Sequence, residues 1–262
     1  MFGLLQSFLL GSVGIVLHPK QQFQLELRLL PFLEQHNIFD PVAFLKNIRI
    51  HPLQDDLVEA FTTNETYFFR GPHTFQGLIK HVLPNLLKEN PSRKLRILSA
   101  ACSSGQEVYS IAIHIRSHIP SLEHQKVEIC GIDIDRAVLK KAEEGWYSQF
   151  EINRGMPTKY IFRYFEREGR GYRVKDNIKQ MTKFVRSNLL HRFPAQELFD
   201  VIFLRNVLIY FSEAEQKRQL LKMSKLLRPK GVLFVGSTEI LPKNPYFKRI
   251  QKRNMVWYQA TT

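Results

Sequence analysis

The chain has 262 residues, 44% of them hydrophobic, and 38 Lys and Arg against 24 Asp and Glu give it a formal net charge of +14 at pH 7. That length and apolar content bury a sizeable core, organised as one large domain or, as expected here, a large domain with a smaller one attached. The charge draws polyanions, whether nucleic acid, anionic lipid or an acidic protein surface, without choosing among them. Cys102 and Cys130, its two cysteines, have neither zinc-site nor disulfide-framework spacing, which points to a reducing compartment and two buried thiols.

Residues 1 to 17 carry no charge. No Lys or Arg precedes this apolar run, no small-residue cleavage site follows it, and Gln6, Ser7, Gly11, Ser12 and Gly14 interrupt it. It is therefore expected as a buried or amphipathic helix, not a signal or a spanning segment, which needs about 20 apolar residues. Residues 20 to 90 read as helices: apolar positions in QQFQLELRLLPFLEQ recur at three and four, and Asp40-Pro41 opens PVAFLKNI with proline at the first helical position. The pattern changes at Asn90-Pro91. LRILSA (95 to 100) and VEICGI (127 to 132) read as strands, EVYSIAIHIRSH (107 to 118) and RAVLKKAEE (136 to 144) as helices. TKFVRS (182 to 187), FDVIFL (199 to 204) and GVLFVG (231 to 236) read as further buried strands, with a helix from Glu213 to Leu227 between the last two. EREGRGYRVKDN (166 to 177) suits a hairpin or a solvated loop. Short strands alternating with helices predict an α/β, doubly wound, parallel sheet, whose ligands bind outside the carboxyl ends of its strands.

Three places at that edge carry candidate chemistry. The run from Ser99 to Glu107 is small-residued and feeds a helix N-terminus, which lets a ligand approach the backbone. It holds one glycine and no Walker lysine, so a nucleoside without a pyrophosphate fits better than a dinucleotide; a plain strand-to-helix turn is the alternative. Asp133 ends the second strand, where a carboxylate accepts both hydroxyls of a ribose, and Asp135 is a natural cap for the next helix; Asp133 as merely another cap is the alternative. Arg205 and Asn206 end a buried strand and require partners, either a ligand or a structural network. No Asp/Asn-Pro-Pro-Tyr/Phe segment occurs.

Asn64-Glu65-Thr66-Tyr67-Phe68-Phe69-Arg70, SAACSSGQEVYSIAI, GIDIDRAVLKKAEEGWY, Asn188-Leu189-Leu190, FDVIFLRNVLIYF and LLRPKGVLFVGSTE together resemble, in order, the chemotaxis-receptor glutamate O-methyltransferases. The Asn-x-Thr-x-Phe-Phe-Arg and Arg-Asn-Val-x-Ile-Tyr-Phe segments are the specific part of the likeness. The resemblance implies a helical N-terminal domain (1–75) joined to a Rossmann-like domain (76–262) that binds S-adenosylmethionine (SAM), with its last strand antiparallel and a short β insertion around 150–180. It also implies that Asn64, Thr66 and Arg70 approach the cofactor from the linker, Arg70 toward its carboxylate. Glu107 and Asp133 take the cationic end and the ribose. Asn188, Leu189, Arg205 and Asn206 complete the pocket, and Tyr210 lies beside the transferred methyl, positioning substrate unless it only packs.

The implied reaction makes a glutamate methyl ester and S-adenosylhomocysteine. A glutamate is already ionised at neutral pH, its unperturbed pKa being about 4.3, so no general base is needed and the enzyme's work is positioning. No metal is expected. The implied partner is the acidic cytoplasmic helical bundle of a chemoreceptor, with Lys20, Arg28, Lys46 and Arg49 as candidate contacts that steer encounter; the protein is expected in the cytoplasm, without nucleic acid or membrane insertion. Glu166 to Arg173 is short for a tail-docking insertion, so binding independent of the receptor tail is expected. A SAM-dependent enzyme of RNA or another protein, and a non-catalytic SAM-binding regulator, are the rival readings.

Overall fold

In the computed structural model, residues 1–17, 20, 22–89, 92–120, 122, 126–191, 193 and 198–261 are described. Asn90 and Pro91, where the sequence pattern changes, lie outside the described residues. Four helices open the chain: α1 (Phe2–Val13), α2 (Gln22–Gln35), α3 (Pro41–Asn47) and α4 (Gln54–Phe61). The uncharged N-terminal run is thus a helix of 12 residues that buries Leu5, Phe8, Leu9 and Val13 and stops at Gly14. Among the described residues no helix is long and apolar enough to cross a membrane. Pro41 stands in the first turn of α3, as the sequence predicts, and Asp40 caps that helix through its side chain. These helices share an apolar core of their own, built on residues such as Phe8, Leu29, Phe44 and Leu57.

After residue 61 the chain runs through a linker into α5 (Pro72–Gly77), which continues by a π turn into α6 (Leu83–Glu89). Then come β1 (Leu95–Ala100), α7 (Gln106–His118), β2 (Val127–Asp133) and α8 (Arg136–Glu144). β3 (Trp146–Ser148), α9 (Gln149–Asn153), α10 (Thr158–Tyr164), β4 (Phe165–Glu168), β5 (Gly171–Val174) and α11 (Asp176–Lys179) follow. The chain closes with β6 (Thr182–Arg186), β7 (Phe199–Leu204), α12 (Glu213–Leu226), β8 (Leu227–Phe234), β9 (Phe247–Lys252) and β10 (Met255–Ala260).

The main sheet has seven strands in the order β6-β2-β1-β7-β8-β10-β9. β1 pairs in parallel with β2 and β7, β2 with β6, and β7 with β8; β10 runs antiparallel to both β8 and β9. This is the expected doubly wound sheet, with the last strand reversed. Its central strands β1, β2 and β7 are buried along almost their whole length because both faces are covered, whereas β6, expected as a buried strand, is partly exposed beside β2. Ile97, Ile129, Val201, Phe203 and Phe234 point into the core under α7 and the α5–α6 rod, whereas Leu98, Cys130, Ile132, Ile202 and Leu233 point into the core that holds Leu220 and Met223 of α12. Both cysteines are buried and free.

Two details differ from the sequence reading. β8 begins at Leu227 instead of Gly231, because Leu227 already pairs with Phe199 ahead of a bulge. The polar 166–177 stretch is a hairpin, but it belongs to a separate sheet, β3-β5-β4, whose first strand lies upstream at residues 146–148. Three residues of strand offered no usable period.

Candidate functional site

The carboxyl ends of β1, β2, β6 and β7 open into one cleft. Asn64, Thr66, Arg70, Glu107, Asp133, Asn188, Leu189, Arg205, Asn206 and Tyr210 all line it. Residues drawn from five separate segments meet here because a parallel sheet delivers every strand tip to the same edge.

The loop after β1 is held in an unusual shape. Ala101 and Ser103 have φ of 59° and 51°, and Gly105 has φ of 89°, so two non-glycine residues occupy the left-handed region at some energetic cost. At Gly105 the conformation and the space coincide, since a Cβ there would lie 2.8 Å from the Ala142 Cβ of α8. The turn aims the Ser103 N–H at Asp133, which accepts it on Oδ2 at 2.8 Å while Oδ1 accepts the Asp135 N–H at 3.1 Å. Asp133 is 7% exposed. Burial raises its carboxyl above the usual range, opposed by the N–H groups of Asp135, Ser103 and Ile134. Asp135 caps α8 as predicted.

Glu107, in the first turn of α7, accepts the Ser99 hydroxyl at 2.7 Å and Arg205 Nη1 at 2.6 Å. Arg205 also donates through Nη2 to the Arg70 carbonyl at 2.6 Å, and its buried Nε has no partner among the described residues. Arg205 thus joins two structural bonds to an open valence, so both readings of its sequence position, network and ligand, have a counterpart in the geometry. A Cβ at Gly71 would lie 2.7 Å from Arg205 Nη2, so the strut needs a glycine at 71.

The aromatic pair of the linker motif explains how its polar members reach the cleft. Phe68 is fully buried, edge-on to Tyr147 at 4.9 Å and Phe165 at 5.8 Å, and the Phe69 N–H donates to Ser110 Oγ at 2.9 Å. Anchored there, the linker presents Asn64, whose Nδ2 donates to Asp135 Oδ2 at 2.6 Å and whose carbonyl accepts from Ser103 Oγ at 2.8 Å. Thr66 is half-buried on the same wall. Arg70 donates to the Glu65 carbonyl at 3.0 Å and lies 5.6 Å from the Tyr67 ring centre. Among the described residues no carboxylate pairs with Arg70.

On the far wall Asn188 is spent internally, donating to the Ser12 carbonyl at 2.8 Å and accepting the Leu190 N–H at 2.9 Å. The carbonyl of Leu189 accepts from Gln219 and Lys222. Tyr210 is half-buried; its carbonyl accepts the Val16 N–H at 2.9 Å, and its hydroxyl is engaged by no described residue. Val13 and Ile15, from the N-terminal segment, also line the cleft, which sequence reasoning missed. It also missed Glu239, buried beside Asn206 and donated to by the Asn206 and Gly236 N–H groups at 2.7 Å each. A signal existed: Gly236-Ser237-Thr238-Glu239 follows a buried strand at the same sheet edge.

SAM bears a ribose, a carboxylate, an ammonium and a sulfonium. The cleft matches that inventory: a buried Asp133 at a strand tip, an unpaired Arg70 cation, and Glu107 and Asp133 as anionic surroundings for positive charge. Fold and cleft together define a SAM-dependent methyltransferase. The chain belongs to the CheR methyltransferase family, whose SAM binding domain matches residues 64–256, and SAM is its cofactor. It is 36% identical to Chemotaxis protein methyltransferase Cher2 of Pseudomonas putida, over 97% of this chain and 95% of that one. It is also 36% identical to Chemotaxis protein methyltransferase 1 of Pseudomonas aeruginosa, over 99% and 97%, and 32% identical to Chemotaxis protein methyltransferase 2 of Vibrio cholerae, over 91% and 84%.

Proposed function

We propose that this protein esterifies glutamate carboxylates on the cytoplasmic helical bundle of chemoreceptors, acting in the cytoplasm during receptor adaptation. The observation that carries the reading is the convergence of Asn64, Thr66, Arg70, Glu107, Asp133, Asn188, Leu189, Arg205, Asn206 and Tyr210 on one cleft, in a chain whose relatives are named chemotaxis methyltransferases. SAM, when bound, supplies a methyl group activated by a sulfonium. Asp133 accepts the ribose hydroxyls, Arg70 pairs with the cofactor carboxylate, and Glu107 faces its ammonium. Asn64 and Thr66 close the linker over it, and the Asn188-Leu189 and Arg205-Asn206 backbones bound the remaining walls. Tyr210 orients the acceptor carboxylate through its unengaged hydroxyl.

The chemistry asks no proton acceptor of the protein, because a glutamate with an unperturbed pKa of about 4.3 is already an anion. The cleft accords with that: among the described residues that line it there is no histidine, and burial pushes the Cys102 thiol well up, away from thiolate chemistry. Its contribution is alignment and the removal of water around the reacting charges. In domain terms we assign 1–75 to a helical unit that meets the receptor and 76–262 to the catalytic unit, its β insertion around 150–180 too short to take a receptor tail.

Labelled methyl from SAM tests the reading. Label that appears on a receptor cytoplasmic fragment and is released by mild base supports it. Label on RNA, base-stable label, or SAM binding with no turnover on any receptor fragment overturns it. Removing the receptor's tail peptide is expected to leave the rate unchanged, and abolished methylation would defeat tail-independent docking.

A further inference from the structure

Glu239 is buried at 8% exposure, yet no cation lies within 4 Å of it among the described residues. Its Oε2 accepts two backbone N–H groups, from Asn206 just past β7 and from Gly236 just past β8, both at 2.7 Å. Its Oε1 is buried and has no partner among the described residues. A buried carboxyl with no cation beside it and one oxygen unpartnered costs free energy that an apolar side chain of similar size would not, so packing alone does not account for it. What it holds does. Asn206 has φ of 58°, a left-handed conformation that Asn tolerates better than most residues but that still needs fixing from outside.

We propose that Glu239 is a positioning residue for the cofactor site: its carboxylate locks Asn206 in the left-handed conformation and so sets how Asn206, and the Val207–Tyr210 segment after it, face the cleft. Two N–H groups held on one carboxyl oxygen suit a clamp on two strand ends that have left their ladder. The clamp is closed at its own base, because the Glu239 N–H donates to the Gly236 carbonyl at 3.0 Å. Gly236 is part of the same device. A Cβ there would lie 2.7 Å from Glu239 Oε2 and 2.9 Å from Asn206 Nδ2, so a side chain at 236 would displace the carboxylate and the Asn206 amide from over the turn.

The proposal rests on the cofactor site and not on the acceptor. Receptor fragments left unmethylated by a protein that binds S-adenosylhomocysteine normally would break the proposed function and leave this inference standing. Calorimetric titration of the full chain with S-adenosylhomocysteine tests it directly. Glu239→Ala is expected to weaken binding by roughly tenfold or more, the loss of two hydrogen bonds, and Glu239→Gln to restore it to within about threefold, since an amide oxygen still accepts both N–H groups. Gly236→Ala displaces the carboxylate and is expected to match Glu239→Ala, with the double variant no worse than either, as for residues that act as one unit. Ile115→Val, a remote core change, serves as the control for lowered stability and is expected to leave the affinity unchanged. Unchanged affinity in Glu239→Ala, a Gln variant as impaired as the Ala variant, or losses that add in the double variant would each overturn the assignment.

Discussion

The two edges of the central sheet solve the same problem in opposite ways. At the amino edge each buried carboxylate is saturated: Asp200, with no exposed surface, takes Arg93, Arg228 and the Arg96 N–H, the last at 2.9 Å. Nearby, Glu128 takes Lys94, Arg96 and Lys183. At the carboxyl edge polar groups are left short among the described residues: Arg205 Nε and Glu239 Oε1 lack partners, Arg70 has no carboxylate, and Ala101, Ser103 and Asn206 sit in left-handed conformations. Open valence and backbone strain gathered around one cleft suit a ligand site, whereas at the amino edge, where Arg228 Nε is also without a hydrogen bond among the described residues and Lys230 is left-handed at φ 61°, the carboxylates themselves are paired.

Breaking each edge should therefore move a different observable. Asp200→Ala leaves two arginines and an N–H without their acceptor and is expected to cost about 3–5 kcal/mol of unfolding free energy, read from urea denaturation, with affinity for S-adenosylhomocysteine unchanged. Asp133→Ala is expected to do the reverse. If Asp133 accepts two ribose hydroxyls as proposed, its loss weakens binding about 100-fold, while the melting temperature changes little because a carboxyl whose pKa burial has raised was already a cost to the fold at neutral pH. A large fall in melting temperature for Asp133→Ala, or a large loss of affinity for Asp200→Ala, would erase the distinction between the edges.

The same division decides what could be read in the sequence. β1 at Leu95–Ala100 and α8 at Arg136–Glu144 fall on the predicted residues, since a strand covered on both faces is a continuous apolar run and α8 carries its own stop signals in Asp135 and Gly145. β9 was invisible: as the outermost strand it buries only Phe247 and part of Ile250, so FKRIQK reads as polar chain. In the site, Asp133 was legible because a strand tip is a local feature. Arg205 as a strut was not, because Glu107 and Arg70 lie 98 and 135 residues away, and Phe68 as the linker's anchor depends on Tyr147 and Phe165 in the insertion. Local pattern carries elements; only the closed sheet brings their tips together.

A smaller effect tests whether the strut matters. Gly71→Ala places a methyl 2.7 Å from Arg205 Nη2 at a position with φ of 73°. It is expected to push the linker off the cleft and raise the KM for SAM by roughly tenfold, in line with about 1–2 kcal/mol for an Ala at positive φ. Turnover at saturating SAM should fall much less. An unchanged KM would mean that the Arg205–Arg70 contact does not hold the linker.

The smallest expected effect sharpens the electrostatic half of the comparison. Desolvation raises the pKa of Glu128, but Lys183, Lys94 and Arg96 together outweigh it and hold the carboxyl at about 2. Because the folded value is depressed, the stabilisation is complete above the unfolded value of about 4.5 and disappears as pH falls from there to about 2. Asp133 carries the opposite sign: its raised folded value makes the charged form a cost at neutral pH that protonation relieves. Glu128→Gln should thus lower stability by about 1 kcal/mol at pH 7, after discounting for solvent screening of a partly exposed cluster, with variant and native chains converging as pH falls toward about 2. Urea midpoints across that range provide the check. Curves that stay parallel down to the lowest pH would show that the three cations do not hold Glu128 ionised, and that the amino edge owes its stability to packing alone.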